Sequence, residues 1–394
     1  MPNPEVYIVS AVRTAIGSFG GTLKDTPPCE LATTAVNAAL QRSGCDAQRI
    51  GHVVMGNVIP TETRDAYISR VAAMNAGIPQ ETPAFNVNRL CGSGLQAIIS
   101  AAQSLLLGDC DIAIGGGAES MSRGPYLLPG ARWGGRMGDM QAVDYMLGTL
   151  HDPFQRIHMG ITAENIAELH GISRAEQDTL ALVSQQRAAR AITEGRFAGQ
   201  IVPVEIKTRK GSQLFEVDEH VRGDTSIEQL AGMKTAFKQG GTVTAGNASG
   251  LNDGAAAVVL ATGAAVQADN LRPLARLVSY AHAGVDPVLM GLGPIPATRL
   301  ALQRAGLKVA DLDVIEANEA FAAQACAVAR ELDFDPAKVN PNGSGISLGH
   351  PVGATGAIIV TKAVHELHRT QGRYALVTMC IGGGQGIAAI FERV

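Results

Sequence analysis

Two cysteines and one histidine stand in local sequences that can make a side chain reactive. Cys91 follows Phe85 and Val87, which alternate as in a strand, and precedes Leu95, Ile98, Ile99, Ala102, Leu105 and Leu106, which recur at helical spacing. It therefore belongs on a sharp strand-to-helix turn, with Gly92 and Gly94 permitting the bend. Backbone N–H groups at a helix start stabilise a thiolate and lower its pKa, which would make this sulfur a nucleophile near neutral pH. The alternative is a buried structural cysteine, the commonest state of a free thiol.

His350 lies in Gly349-His350-Pro351-Val352-Gly353, ahead of a helical face formed by Ile358, Ile359, Ala363, Val364 and Leu367. A helix N-terminus disfavours imidazolium, so the ring is expected neutral and able to accept a proton. A surface or capping histidine is the competing reading. Cys380 ends the apolar strand Tyr374–Met379 and is followed by Gly382-Gly383-Gly384. Such a loop can turn bare N–H groups toward a developing oxyanion, although a structural strand-end cysteine fits the same pattern. Cys29, Cys45, Cys110 and Cys326, and His52, His170, His365 and His368, have no partner suggested by sequence.

The elements that must position these residues recur. Ala39–Gly44 returns as Ala301–Gly306, Cys91–Leu95 is echoed by Asn342–Ile346, and Ile112–Gly117 by Met379–Gly384. Three echoes in the same order point to two similar α/β halves. Between them the texture changes. Residues 121–140 read as a long ordered loop, 162–195 regain helical periodicity, and 196–238 mix short strand-like runs with basic residues. The expected organisation is an N-terminal half from 1–117 and 249–271, an insertion at 118–248 that covers a site, and a C-terminal half from 272–394.

Composition narrows the function. The chain has 394 residues, too many for one core but suited to two domains. With 46% hydrophobic and 17% charged residues it is not disordered, and 36 acids against 32 bases argue against a general nucleic-acid binder. The longest apolar run, Ala255 to Val266, falls short of the ~20 residues a membrane span needs. Met1-Pro2-Asn3-Pro4-Glu5 has neither signal nor transit character, so a cytoplasmic protein is expected. Six scattered cysteines without a C-x-x-C pair suggest neither a disulfide framework nor zinc.

Four segments resemble the signatures of thiolases: Asn88-Arg89-Leu90-Cys91-Gly92-Ser93-Gly94, Asn318-Glu319-Ala320-Phe321-Ala322, Gly349-His350-Pro351-Val352-Gly353-Ala354-Thr355-Gly356, and Cys380-Ile381-Gly382-Gly383-Gly384-Gln385-Gly386. The likeness runs from Ser10 to the C-terminus and is strongest to the biosynthetic acetyl-CoA acetyltransferase branch. His151-Asp152-Pro153-Phe154 looks most like the broad-range β-ketothiolases of polyhydroxyalkanoate synthesis. The resemblance implies an α/β thiolase fold, with two duplicated βαβαβαββ halves in five α-β-α-β-α layers under a covering loop domain.

It also implies roles. Cys91 would carry the acyl group, His350 would deprotonate it, and Cys380 would move the α-proton of the second acyl-CoA. Asn318 would hold a water that forms one oxyanion hole with His350, and the N–H groups of Cys91 and Gly382 would form the other. For CoA, the resemblance points to His158, Met159, Ala248, Ser249, Met290, Ala320 and Phe321 along the pantetheine, with Leu150 and Arg222 near the adenine. Core packing is the competing reading for the Met and Phe residues, and Asp224 could compete for Arg222. Residues 151–157 leave acyl chain length open. No metal or redox cofactor is implied, since CoA and its thioesters (acetyl-CoA, acyl-CoA and 3-ketoacyl-CoA) are substrates. Residues 121–140 match the family's tetramerisation loop, which implies a homotetramer built as a dimer of dimers. The rivals are a decarboxylating ketoacyl synthase, which usually pairs its cysteine with two histidines, a longer-chain degradative thiolase, and a non-catalytic acyl-CoA or lipid binder.

Overall fold

The computed structural model describes residues 5–209 and 211–394. Nine strands carry one sheet path: β1 (Val6–Thr14), β2 (His52–Gly56), β3 (Ala84–Val87), β4 (Ile112–Ser120), β5 (Asn252–Thr262), β6 (Ala275–Gly284), β7 (Val314–Ala317), β8 (Tyr374–Ile381) and β9 (Gln385–Arg393). They pair in the order β7-β8-β9-β6-β1-β5-β4-β2-β3, with two short strands, Gly17–Ser18 and Ile201–Val202, attached to β5 and β1. β4 and β5 are buried along their whole length, the pattern of strands covered on both faces.

The main covering helices are α1 (Pro28–Ser43), α2 (Ser93–Leu107), α3 (Met159–His170), α4 (Arg174–Thr193), α5 (Pro294–Ala305), α6 (Ala322–Glu331) and α7 (Val352–Thr370). α1 packs on β1, β4 and β5, and α5 on β6 and β9. α2 and α7 pack on each other, α2 against β2 and β4, and α7 against β4, β5, β7 and β8. This makes five layers, α-β-α-β-α, with α2 and α7 in the middle. By composition Leu90–Leu107 could pass for a membrane span, but it is the core helix of that layer.

The halves share one topology. β1-β5-β4-β2-β3 corresponds to β6-β9-β8-β7, and the two meet at an antiparallel junction of Tyr7 with Arg276 and Ile8 with Ala275. Val339, bridged in parallel to Ile315, takes the place of β3 in the second half. α1 and α5 both begin with proline and end at a left-handed glycine, Gly44 and Gly306. Of the three sequence echoes, only this one falls at equivalent positions. In the strands, Gly56 pairs with Gly117 and Ala317 with Thr378, which makes Asn57 the counterpart of Asn318 and Glu119 that of Cys380. Cys91 and His350 each lie two residues ahead of a middle helix, α2 and α7. The other two echoes are out of register, as short matches in an Ala/Gly-rich chain can be.

Between β4 and β5 the chain builds α3, α4, the hairpin Val204–Thr208 with Gly211–Phe215, and a short ribbon in which Tyr126–Leu127 pairs with Val143–Asp144. The segment joining the ribbon's strands is exposed throughout, with Trp133 86% and Met137 98% accessible.

Candidate active site

Cys91 sits on the expected turn, but the bend is made differently. Gly92 has ordinary helical angles, while Leu90 takes φ 46°, a left-handed conformation unfavourable for a branched residue. Side chains hold it there. Asn88 Oδ1 accepts from Leu90 N–H at 3.0 Å, and Ser93 Oγ accepts from Arg89 N–H and donates to Leu90 O. The two glycines serve close approach instead, since a Cβ on Gly92 would meet Ile381 Cδ1 and one on Gly94 would meet Ala357 N. The thiol also departs from expectation. Burial pushes Cys91 up to about 11, and hydrogen bonding from the Gly382 and Cys91 N–H groups offsets only part of that. At neutral pH the resting sulfur is a thiol.

His350 is fixed on every side. Its N–H donates to Asn252 Oδ1 at 2.9 Å, and its ring Nδ1 lies 2.7 Å from Thr355 Oγ1. Burial pushes the imidazole down to about 4, so the ring is neutral, as expected, with desolvation rather than the helix dipole as the main cause. Asn318 Nδ2 lies 3.5 Å from His350 Nε2, at the limit of a hydrogen bond. Asn318 Oδ1 is buried and, among the described residues, has no hydrogen-bond partner. A buried acceptor left free in this way suits a small polar guest.

Cys380 is the next-to-last residue of β8 and is fully buried among Met159, Met290, Ala320 and Phe321. Burial, and then the neighbouring Cys91, push its thiol far up. The chain then turns through Gly383 and Gly384, both at positive φ, which leaves Gly382 facing Leu90 and Met159.

These elements enclose a cavity of about 470 Å³. Its lining holds Cys91, His350 and Gly382 together with Leu150, His158, Met159, Ala248, Ser249, Met290, Ala320 and Phe321. Three expected residues are not in the wall. Cys380 and Asn318 lie just behind it. Arg222 is exposed outside it, and among the described residues it forms no ion pair with Asp224. Residues 151–157 do not line the cavity either. They close on themselves where Asp152 accepts from Phe154 and Gln155 N–H, and His151 packs edge-on against His158. Sequence reasoning missed Val58, Met121, Met146, His220, Phe237 and Val352 in the lining. Phe237, stacked on His158 at 4.5 Å, carried no local signal at all.

The wall is apolar with a few converging polar groups, as small-molecule sites are. A cysteine thiol, a neutral imidazole and backbone N–H groups at one end are the kinds of group that covalent acyl transfer uses. Comparison with known proteins agrees. The chain matches the thiolase N-terminal domain over residues 6–264 and the thiolase C-terminal domain over residues 271–393. It is 67% identical over 391 residues to the beta-ketothiolase BktB of Cupriavidus necator, covering 99% of each chain. It is 49% identical to the acetyl-CoA acetyltransferase of Pseudomonas aeruginosa, again covering 99% of each. The crystal structure of human mitochondrial 3-ketoacyl-CoA thiolase in complex with CoA matches with a TM-score of 0.97 at 45% identity, covering 99% of this chain and 98% of that one. Motifs, topology and these likenesses agree that the chain belongs to the thiolase family.

Proposed function

We propose that this thiolase, an acyltransferase of the β-ketothiolase type, works through an acyl-Cys91 intermediate, with His350 as base and Cys380 as a separate acid and base. The supporting observation is the meeting of Cys91, a neutral His350 and the Gly382 N–H at one end of the cavity. In thiolysis the Cys91 proton passes to His350 Nε2 and the thiolate attacks C3 of the 3-ketoacyl-CoA. The C2–C3 bond breaks, and the departing enolate takes the proton of Cys380 to become acetyl-CoA. A thiol whose pKa is pushed up is protonated at rest, which suits it to act first as this acid. The Cys380 thiolate then takes the proton of an incoming CoA, whose sulfur attacks the acyl-Cys91 thioester. The released Cys91 thiolate recovers its proton from His350, and condensation is the reverse.

Asn318 holds a water that forms one oxyanion hole with His350, and the Cys91 and Gly382 N–H groups form the other. The pantetheine runs past His158, Met159, Ala248, Ser249, Met290, Ala320 and Phe321, with Leu150 and Arg222 toward the adenine. Residues 118–248 cover this site between the two halves, and the segment 121–140, exposed from Tyr126 onward, joins dimers into a homotetramer. The enzyme is broad-range and cytoplasmic and supplies polyhydroxyalkanoate synthesis, and the likeness to the beta-ketothiolase BktB supports the β-ketothiolase reading.

The test is loss of 3-ketoacyl-CoA absorbance on adding CoA, with acetoacetyl-CoA, 3-ketovaleryl-CoA and a longer homologue as substrates. Cleavage of the first two, absent in Cys91→Ala, is expected. Cleavage of acetoacetyl-CoA alone, or of the longer homologue alone, overturns the broad short-chain range. Full turnover by Cys91→Ala overturns the nucleophile.

A further inference from the structure

Glu119 is wholly buried at the end of β4, and among the described residues it has no cationic partner. Its carboxylate instead accepts four N–H groups. Oε1 takes Asn57 Nδ2 at 3.0 Å and Ile59 N at 3.1 Å, while Oε2 takes Val58 N at 3.1 Å and Gly353 N at 2.9 Å. Burial pushes this carboxyl up to about 8, while the four N–H donors favour its ionised form, an acceptor only, which can use them in full.

Those donors come from both halves of the molecule. Asn57, Val58 and Ile59 follow β2, whereas Gly353 lies in the first turn of α7, three residues after His350. Oε2 alone therefore ties Val58 to the residue after Val352. Both valines line the cavity and pack with Leu90 and Cys91 in one apolar cluster. The fit leaves no slack, because a Cβ on Gly353 would lie 2.6 Å from Glu119 Oε2 and 3.1 Å from Asn57 Cα.

The duplication sharpens the point. Glu119 stands where the other half has Cys380, and Asn57 stands where it has Asn318. In the second half these two positions border the reacting groups. In the first they bond to each other and to the start of α7.

We propose that Glu119 is a positioning residue for acyl transfer, a carboxylate that sets the Val58 and Val352 walls around the acyl group on Cys91 and anchors the helix start behind His350. The proposal rests on the acyl-Cys91 reading. Glu119 touches neither substrate nor reacting atom, so its effect is on geometry. Misplacement of reacting groups by ~1 Å can cost about 10²-fold in rate.

The test is Glu119→Gln, which keeps the shape but turns an NH₂ toward one pair of donors. The readouts are kcat and KM for CoA in thiolysis, the alkylation rate of Cys91 by iodoacetamide, and thermal unfolding. The expected result in a folded variant is a kcat lower by about 10²-fold, with KM for CoA within about threefold. Alkylation of Cys91, followed above about pH 8 where Glu119 is ionised, should be faster in the same variant, because the Glu119 charge that raises the thiol's pKa has been removed. A merely structural loosening of the walls would speed alkylation at every pH, whereas loss of the Glu119 charge speeds it only above about pH 8, where that group is ionised. A folded Glu119→Gln with wild-type kcat overturns the proposal, as does a loss carried by KM alone. If Glu119→Gln does not fold, Asn57→Ser removes one of the four donors. A severalfold fall in its kcat at unchanged KM supports the proposal, and unchanged kcat overturns it. Cys91→Ala run in parallel separates the two readings, since its turnover tests the nucleophile independently of Glu119.

Discussion

His350 Nδ1 lies 2.7 Å from Thr355 Oγ1, and the same hydroxyl donates to Pro351 O at 2.9 Å. The one hydroxyl proton is committed to the carbonyl, so the oxygen can only accept from the ring. Nδ1 therefore carries the imidazole proton and Nε2 keeps its lone pair on the side of Asn318. In the proposed mechanism Thr355 orients His350 as a carboxylate orients the histidine of a hydrolase triad. Thr355→Val keeps the shape and removes the acceptor. We expect kcat to fall about 10- to 100-fold, within the range of a general base's contribution, and Thr355→Ser to restore most of it. Equal activity in Val and Ser variants would show that the tautomer is held by something else.

The separate placement of the two cysteines gives a second prediction. Cys91 faces the cavity, whereas Cys380 sits behind its wall. Cys380→Ser should block thiolysis and condensation far more than it slows acetylation of Cys91 by acetyl-CoA, followed as an added acetyl mass on the protein. Coenzyme A is a good leaving group without a strong acid, but an enolate is not. Equal loss of both reactions would remove the case for a separate acid and base.

The proton balance of His350 predicts a pH dependence of both rate and stability. With its pKa pushed down to about 4, kcat/KM should fall only below about pH 5, with no inflection near the usual 6.5. For stability, the unfolded histidine takes up a proton below about 6.5 while the folded one does not until about 4. The unfolded state thus binds more protons in that window, so stability falls as pH drops through it. The full effect of a shift this large is roughly 3 kcal/mol. Denaturant midpoints at pH 4.5 and 7 should differ less in His350→Gln than in wild type, other buried histidines being common to both. An unchanged difference would mean that the ring is charged in the fold.

The exposed segment after β4 predicts assembly. Trp133 and Met137 are almost fully accessible, and Tyr126, Leu127, Leu128 and Met140 are exposed around them. A patch of this kind on a folded chain marks a contact surface. On the proposed homotetramer, wild type should scatter as a tetramer and Met137→Asp as a dimer, with thiolysis within about twofold of wild type. A tetramer of unchanged stability would place the contact elsewhere.

The sequence revealed whatever had a local cause. The Cys91 turn and the glycine turn after Cys380 follow from spacing, propensity and punctuation over a few residues, whereas His350 is neutral as expected but for a non-local reason, burial by the whole fold. The duplication was visible, but its register was not. Gly-rich strings match by composition, whereas equivalence is set by strand pairing such as Gly56 with Gly117. Glu119, Asn57 and Thr355 gave no signal because each matters through a partner distant in sequence or through a single hydroxyl. The thiol of Cys91 was misjudged for a related reason. A helix start is local and lowers a pKa, but the enclosing walls come from the whole fold and raise it further.

The middle layer sets the distance between Cys91 and His350. Cys91 rides just ahead of α2 and His350 just ahead of α7, and the two helices cross in backbone contact. A Cβ added to Gly94 would stand 2.7 Å from Ala357 N, and one on Gly356 would stand 2.2 Å from Leu95 N. Neither neighbour is a flexible side chain, so relief requires moving a helix. Gly94→Ala should therefore cost about 1–3 kcal/mol in stability, as overpacking does, and about 10²-fold in kcat. Gly263→Ala is the control, because its new methyl would meet only Tyr7 Cε2 at 3.4 Å, an ordinary contact far from the cavity. Substrate touches neither glycine's missing side chain, so a fall in kcat confined to Gly94→Ala would be the effect of helix separation on Cys91 and His350. Destabilisation with wild-type kcat would instead mean that the turns at Leu90 and Gly349 absorb the shift and hold the two groups without help from the crossing.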